Sequence, residues 1–394
     1  MSTHAPFDER FVHELIRWIL SPSTRSLPLD GFLAELSVRL RAGDITVARM
    51  RTSVTTKHPE VFVRAVMWHE TLGVDVRDGL RDLLTTPTFL ASPVAKVRAE
   101  GVVVRCRLQG PEADLSYSIC GELAAEGLTD YVVYPMQFGS GERTYFSFAT
   151  RREGGFSDSH LAVFEQIAPA LAIRIEVESA ELALKSLLQV YLGQNAAARV
   201  LAGSFLRGTG ERIHAAVWFC DMRGFTTLAD RKPAHEVVKI LDRFFECVAG
   251  PIGPLGGEVL KFIGDAVLAI FPVRSAGVKD ACERALEAAN AAVDGVAKLN
   301  SEGGDTLVDM GVGLHVGEVM YGNIGARDRL DFTVIGSVVN EVCRVESLCR
   351  TLDSPILLTA AFARYCSGAA VESRGVHTLK GVLEPQEIFA PKRA

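Results

Sequence analysis

Two acidic segments, FCDMRGFT (Phe219 to Thr226) and LKFIGDAVLAIF (Leu260 to Phe271), hold the residues best suited to chemistry. Each places one carboxylate, Asp221 and Asp265, where an apolar strand gives way to a glycine-containing turn. A strand carries its side chains on rigid backbone, and the turn exposes what stands at its mouth. Two such carboxylates brought together make a hard-oxygen site for Mg2+ or Mn2+, and phosphates are what such sites usually hold. Asn340 and Arg344 stand four apart in SVVNEVCRVESL, so a helix presents them on one face. Carboxylates, an amide and a guanidinium together point to metal-assisted phosphoryl chemistry. Taken singly, each has a plainer reading as a capping Asp or a surface Arg.

The elements that must position these residues alternate between strand and helix over residues 212–394. AAVWFCD reads as a buried strand, and Pro233 to Ala249 as a helix with Val237, Ile240, Leu241, Phe244, Phe245 and Val248 on one face. GGEVLKF and AVLAIFP read as a hairpin around Gly264-Asp265. Ala276 to Leu299 is an Ala-rich helix, MGVGLHVGEV and DFTVIG are strands, and Ser337 is placed to cap the helix that carries Asn340 and Arg344.

The other half, residues 1–178, mixes helices and strands. FDERFVHELIRWIL (Phe7 to Leu20) has helical spacing. ITVARMRTSV, VFVRAVMWH and VVVRCRL are β-rich, and DYVVYPMQF and RTYFSFATR flank the turn Gly139-Ser140-Gly141-Glu142. Ser157 stands as an N-cap before a long amphipathic helix. Residues 179–211 form a linker, helical to about Phe205 with Leu182, Leu184, Leu187, Leu188 and Tyr191 as an apolar stripe, and Gly208-Thr209-Gly210 ends it. Such a stripe pairs with its copy in a dimer or packs on a neighbouring domain.

Composition narrows the classes. With 394 residues and 48% hydrophobic content, the chain can form two or three domains with real cores. A net charge of −6 offers no basic footprint for nucleic acid. No apolar run reaches the roughly 20 residues that a membrane helix needs, and MSTHAPFDER does not read as a signal peptide. The eight cysteines are scattered without a CxxC pair. They read as small core residues in a reduced, cytoplasmic protein. Cys106 and Cys120 could anchor a chromophore or simply fill a core; His58 and His69 lack ligand spacing.

FCDMRGFT, KFIGDAVLAIF, GLHVGEVMYGNIG and FTVIGSVVNEVCRVES, in this order, resemble the catalytic domain of class III nucleotidyl cyclases over residues 212–394. The resemblance implies an α+β fold, a ferredoxin-like or palm βαββαβ sheet, and a homodimer with active sites at the subunit interface. It implies that Asp221, Asp265 and the Met222 carbonyl hold two Mg2+ or Mn2+ ions, which lower the pKa of the ribose 3′-hydroxyl and clamp the triphosphate. Gly224, Phe225 and Thr226 then offer backbone amides to the phosphates, Asn340 orients the ribose and Arg344 meets charge on the α-phosphate. Lys380 matches the family's triphosphate-binding lysine, and Arg327 lies in a loop of variable length with a weaker claim to phosphate.

Substrate choice rests on Lys261, which matches the purine-reading lysine, and Thr333, which stands where many adenylate cyclases carry Asp and one subgroup carries Thr. A Lys donor and a hydroxyl suit the N1 acceptor and N6 amine of adenine, whereas guanylate cyclases typically place a Glu where Lys261 stands. The expected substrate is therefore ATP, giving 3′,5′-cyclic AMP and pyrophosphate. Two rivals remain at this level: a diguanylate cyclase, faintly echoed by Gly256-Gly257-Glu258 but broken by Val259, and a silent nucleotide-binding module. Most of residues 1–178 resembles a GAF domain through its strands, hairpin, GGFSDSH and final helix. That implies a regulatory sensor for an unidentified small molecule.

Overall fold

The computed structural model describes residues 9–59, 61–204, 206–302, 307–366, 371–382 and 384–392. The chain falls into two compact units, Met1–Leu187 and Leu188–Ala394.

The first unit is a three-layer α/β/α arrangement. Its sheet contains β1 (Arg49–Thr55), β2 (Val61–His69), β3 (Gly73–Leu80), β4 (Val104–Arg107), β5 (Asp130–Gln137) and β6 (Arg143–Thr150) in the order β3-β2-β1-β6-β5-β4. All pairings are antiparallel. On β5, Val132, Tyr134 and Met136 join the core beneath helices Glu9–Ile19, Leu29–Ala42 and Asp158–Leu192, while Tyr131 and Val133 face a second core beneath Pro93–Glu100 and Ser118–Ala125. Coverage on both faces explains why DYVVYPMQ reads as an almost unbroken apolar run. Asp130 is wholly buried, accepting from Arg105 at 2.6 Å and from the Phe156 amide at 2.9 Å, which fixes the entry to the long helix. Ser157 caps that helix, its hydroxyl accepting from the His160 amide at 3.3 Å. Cys106 and Cys120 both lie in the second core.

Three expectations shift. The first helix spans Glu9–Ile19, and Phe7 lies outside the described residues. The edge strand β3 goes unforeseen because its residues are mostly exposed and its apolar alternation is limited to Val74 and Val76. The linker is not one helix: Asp158–Leu192 ends where Gly193 takes φ +84°, a conformation that side chains resist, and Gln194–Leu201 follows. Phe205 lies outside the described residues.

The second unit is built on β7 (Gly210–Arg223), β8 (Glu258–Ile263), β9 (Ala266–Pro272), β10 (Asp309–Ala326), β11 (Arg329–Ile335), β12 (Ile356–Thr359), β13 (Val371–His377) and β14 (Gln386–Pro391). The sheet runs β13-β14-β12-β10-β7-β9-β8, with β11 paired to β10. Its β10-β7-β9-β8 core, with helices Ala234–Ala249 and Gly277–Ser301 between strands in sequence, is the expected βαββαβ arrangement; β12 to β14 extend it. Side chains on β7 alternate. Ala216, Trp218, Cys220 and Met222 pack beneath those two helices, while Ala215, Val217 and Phe219 face the other side, where Val338 and Val342 of helix Ser337–Ser347 pack. Asp221 follows Phe219 by two and so belongs to this second face.

Ser337 does not cap its helix. Gly336 holds the N-cap position without a side-chain bond, and Ser337 is the first helical residue. The Gly256-Gly257-Glu258 run has a structural cause: Gly256 has φ +76°, and a Cβ on Gly257 would meet Ile252 and Phe271 at 2.7 Å. Glu258 is buried and accepts from the Tyr321 hydroxyl at 2.8 and 2.9 Å.

Candidate functional site

Asp221 lies near the C-terminal end of β7, and Asp265 in the turn between β8 and β9. The two carboxyls stand close enough for the charge of one to act on the other. Burial first, then the charge of Asp265, push Asp221 up from 3.8 to about 6, against a bond donated by the Met222 amide. Two hard-oxygen donors crowded this way fit a divalent cation, whose charge would relieve the repulsion. Among the described residues, no group of three or more His, Cys, Asp or Glu side chains could hold an ion together.

A third carboxyl, which the sequence reading passed over, lies close by. Glu346 is pushed up to about 7, by burial first and then by Asp221, with Arg223 opposing and Asp265 adding to the rise. It comes from helix Ser337–Ser347, which is laid unusually close to β10. A Cβ on Gly313 would stand 2.5 Å from the Val342 carbonyl oxygen, and one on Gly311 would stand 2.5 Å from Glu346 Oε1. Gly311 pairs with Asp221 in the β7–β10 register, so the bare backbone at Gly311 admits Glu346 beside the acidic pair. Arg223 braces the same end, pairing with Asp309 at 3.0 Å and donating to the Ser354 carbonyl at 2.9 Å.

The helix Ser337–Ser347 buries Val338, Val342 and Val345 and exposes Asn340 and Arg344. Beneath it, His315 sits between the Thr359 hydroxyl at 2.7 Å and Glu341 at 3.4 Å, and burial lowers its pKa to about 4, leaving it neutral near pH 7. No hydrogen bond or ion pair among the described residues joins Asn340, Arg344 or Lys261 to Asp221 or Asp265.

Lys261 follows a register shift between Val259 and Lys261, a bulge that re-aims the side chain. Its Nζ pairs with Asp331 Oδ2 at 3.0 Å. Asp331 was not singled out from sequence; Thr333, two residues on along β11, is buried. The structure thus brings Lys261 to Asp331 on β11, two residues before Thr333 on the same strand. Gly224, at φ +76°, precedes the short helix Phe225–Arg231 and so places Phe225 and Thr226 in its first turn. Arg327 is exposed in the β10–β11 turn, and Lys380 is exposed between β13 and β14.

Residues 211–390 match the family profile described as the adenylate and guanylate cyclase catalytic domain. Two uncharacterized proteins of Mycobacterium tuberculosis are 37% and 39% identical over 193 and 187 residues. These stretches are 47% and 46% of this chain and 32% of each relative, so the chain spans about a third of their length. A solved bacterial light-regulated adenylyl cyclase is 21% identical with a TM-score of 0.50, covering 64% of this chain and 84% of that one, a likeness of fold. Among the described residues, no helix is long and apolar enough to cross a membrane. It is over residues 211–390, a little under half of the chain, that the sequence is similar to adenylate and guanylate cyclase catalytic domains.

Proposed function

We propose that the chain is an adenylate cyclase, acting as a homodimer and regulated through its first unit. The observation that carries the reading is the Asp221–Asp265 pair, one carboxyl near the end of β7 and one in the β8–β9 turn, close enough for their charges to interact. On this reading Asp221, Asp265 and the Met222 carbonyl hold two Mg2+ or Mn2+ ions. When bound, such ions supply Lewis-acid polarisation of the ribose 3′-hydroxyl and neutralise triphosphate charge.

The chain's own residues supply binding and orientation. Lys261 donates to adenine N1, and the Thr333 hydroxyl accepts from the N6 amine, with Asp331 holding the lysine in place. Asn340 fixes the ribose, so that the 3′ oxygen stands in line with the α-phosphorus. The bond to that phosphorus forms as its bond to the pyrophosphate oxygen breaks, the hydroxyl proton passes to solvent, and the Arg344 fork matches the oxygens on which charge grows. The amides of Gly224, Phe225 and Thr226, with Lys380 and Arg327, receive the phosphates.

A shared site follows from the same layout. Asn340 and Arg344 face outward with no partner from their own chain among the described residues, so a second subunit completes the constellation. Leu184, Leu187 and Tyr191 are exposed at i, i+3 and i+7 on one helix, which suits pairing with a second copy. The test is incubation of the purified chain with ATP or GTP and Mn2+, with products identified by mass. Cyclic AMP and pyrophosphate are expected from ATP, and Asp221→Ala or Asp265→Ala should remove nearly all turnover. A preference for GTP sinks the substrate assignment, and a folded, fully active Asp221→Ala protein sinks the metal assignment. A chain starting near Ser179 should retain cyclase activity at an altered basal rate; an unchanged rate counts against regulation by the first unit.

A further inference from the structure

The first unit holds a cavity of about 430 Å³ between the β1–β2–β6 side of its sheet and the segment that carries helices Pro87–Leu90 and Pro93–Glu100. That volume lies in the range of sites for drug-sized molecules. Its wall is of two kinds. Val63, Leu84, Phe89, Val94 and Ile119 give an apolar lining, whereas Arg49, Arg51 and Arg98 bring three guanidinium groups to the same space.

All three arginines are half-buried, and none has an ion pair with an acid among the described residues. The acids nearest the cavity do not change this. Asp78 is engaged by Arg64 at 2.7 and 3.0 Å, and Glu142 by Lys57 at 3.7 Å, while Glu122 is exposed. Arg77 is already held by Asp75 at 2.6 Å. Burial lowers the pKa of Arg98, outweighing the opposing charges of Tyr145 and Glu142, as for a cation that has given up water. Tyr131, Tyr145 and Ser147 line the same cavity, so hydroxyl groups share the space with the cations. Half-buried cations without partners destabilise a fold unless something pairs with them.

We propose that this cavity binds a small organic anion, with a carboxylate or phosphate head held by Arg49, Arg51 and Arg98 and an apolar body against Phe89 and Ile119. Arg forks match both head groups with paired hydrogen bonds. The proposal names a ligand class for the sensing role given above to the first unit. Because binding is read directly, it stands or falls separately from cyclase turnover.

The experiment uses the full chain at low salt and titrates phenylacetate, phenyl phosphate and the neutral 2-phenylethanol, by calorimetry and thermal midpoint. Saturable binding of one or both anions at millimolar concentration or below is expected, with the alcohol at least about tenfold weaker. Which anion binds tighter identifies the head group. Arg98→Met, which keeps the apolar stem, and the double variant Arg49→Gln/Arg51→Gln should each weaken the better anion about tenfold or more, as loss of a charge-assisted bond does. Arg17→Gln, on the exposed face of the first helix, should leave it unchanged. Equal binding of alcohol and anions overturns the proposal, as does undiminished anion binding by arginine variants that keep the wild-type melting profile. Absence of saturable binding by either anion overturns it too. Should a variant fail to fold, the contrast between anion and alcohol on the native chain still decides.

Discussion

Replacing Asp265 by Asn should stabilise the metal-free protein at neutral pH while abolishing catalysis. Asp221 titrates at about 6 instead of 3.8. At about 1.36 kcal/mol per unit, that is a penalty of roughly 3 kcal/mol once both forms are ionised. Asp221 is only half-buried, so screening by solvent cuts the figure to about 1–2 kcal/mol. Burial is the larger cause and survives the substitution; the charge of Asp265 is the second and does not. The variant should therefore recover about 0.5–1 kcal/mol, or roughly 1–4 °C in melting midpoint for a domain of this size. The Asn amide can also donate to Asp221.

The sign of the pH dependence follows from proton counts. Between pH 4 and pH 6 the folded state of wild type binds more protons than the unfolded chain, so stability falls as pH rises through that window. Below pH 4 both states are protonated and the penalty vanishes; above pH 6 it is fully present. Calorimetry in EDTA from pH 4 to pH 8 should show wild type and Asp265→Asn converging at the acid end and separating as pH rises. Mn2+ should then stabilise wild type and affect the variant much less. A variant less stable than wild type at pH 7.5 in EDTA, with a parallel pH profile, would refute the picture of two repelling carboxyls.

Three further outcomes test other parts of the site. Inactive Asp265→Ala and Arg344→Ala homodimers should complement on mixing, because one of the two sites in the heterodimer then carries neither lesion; no recovery in demonstrated heterodimers rejects the shared site. Gly313→Ala should destabilise the second unit by about 1–3 kcal/mol and cut turnover sharply, since a Cβ there would stand 2.5 Å from the Val342 carbonyl and must lift the helix carrying Asn340 and Arg344; wild-type melting and kinetics would show that the close approach is unimportant. Asp331→Asn should leave stability within about 1 kcal/mol, as for an exposed pair, yet lower the ATP-to-GTP ratio of kcat/KM by about threefold to tenfold; an unchanged ratio would detach the Lys261–Asp331 pair from base reading.

Local logic made part of this molecule readable and left the rest dark. Strands β5, β6, β7 and β9 stand out in sequence because both of their faces are covered, which demands long apolar runs bounded by turns. β3 escapes because an exposed edge asks nothing of its residues. β12 to β14 went unplaced: β12 is only four residues long, and β13 is mostly exposed. Asp221 and Asp265 could be named from sequence because each stands beside a glycine turn that its own segment displays. Glu346 and Asp331 could not, since what makes them notable is their neighbours. Glu346 reaches the acidic pair only because Gly311 pairs with Asp221 across two strands and leaves a gap where a side chain would otherwise stand. Asp331 meets Lys261 only because a bulge turns the lysine aside and β11 folds back along β10. Gly311 and Gly313 of GVGLHVGEV, a segment read in sequence as a strand and as part of the family resemblance, are therefore positional devices. They set how closely helix Ser337–Ser347 lies on the sheet, and with it where Asn340 and Arg344 stand.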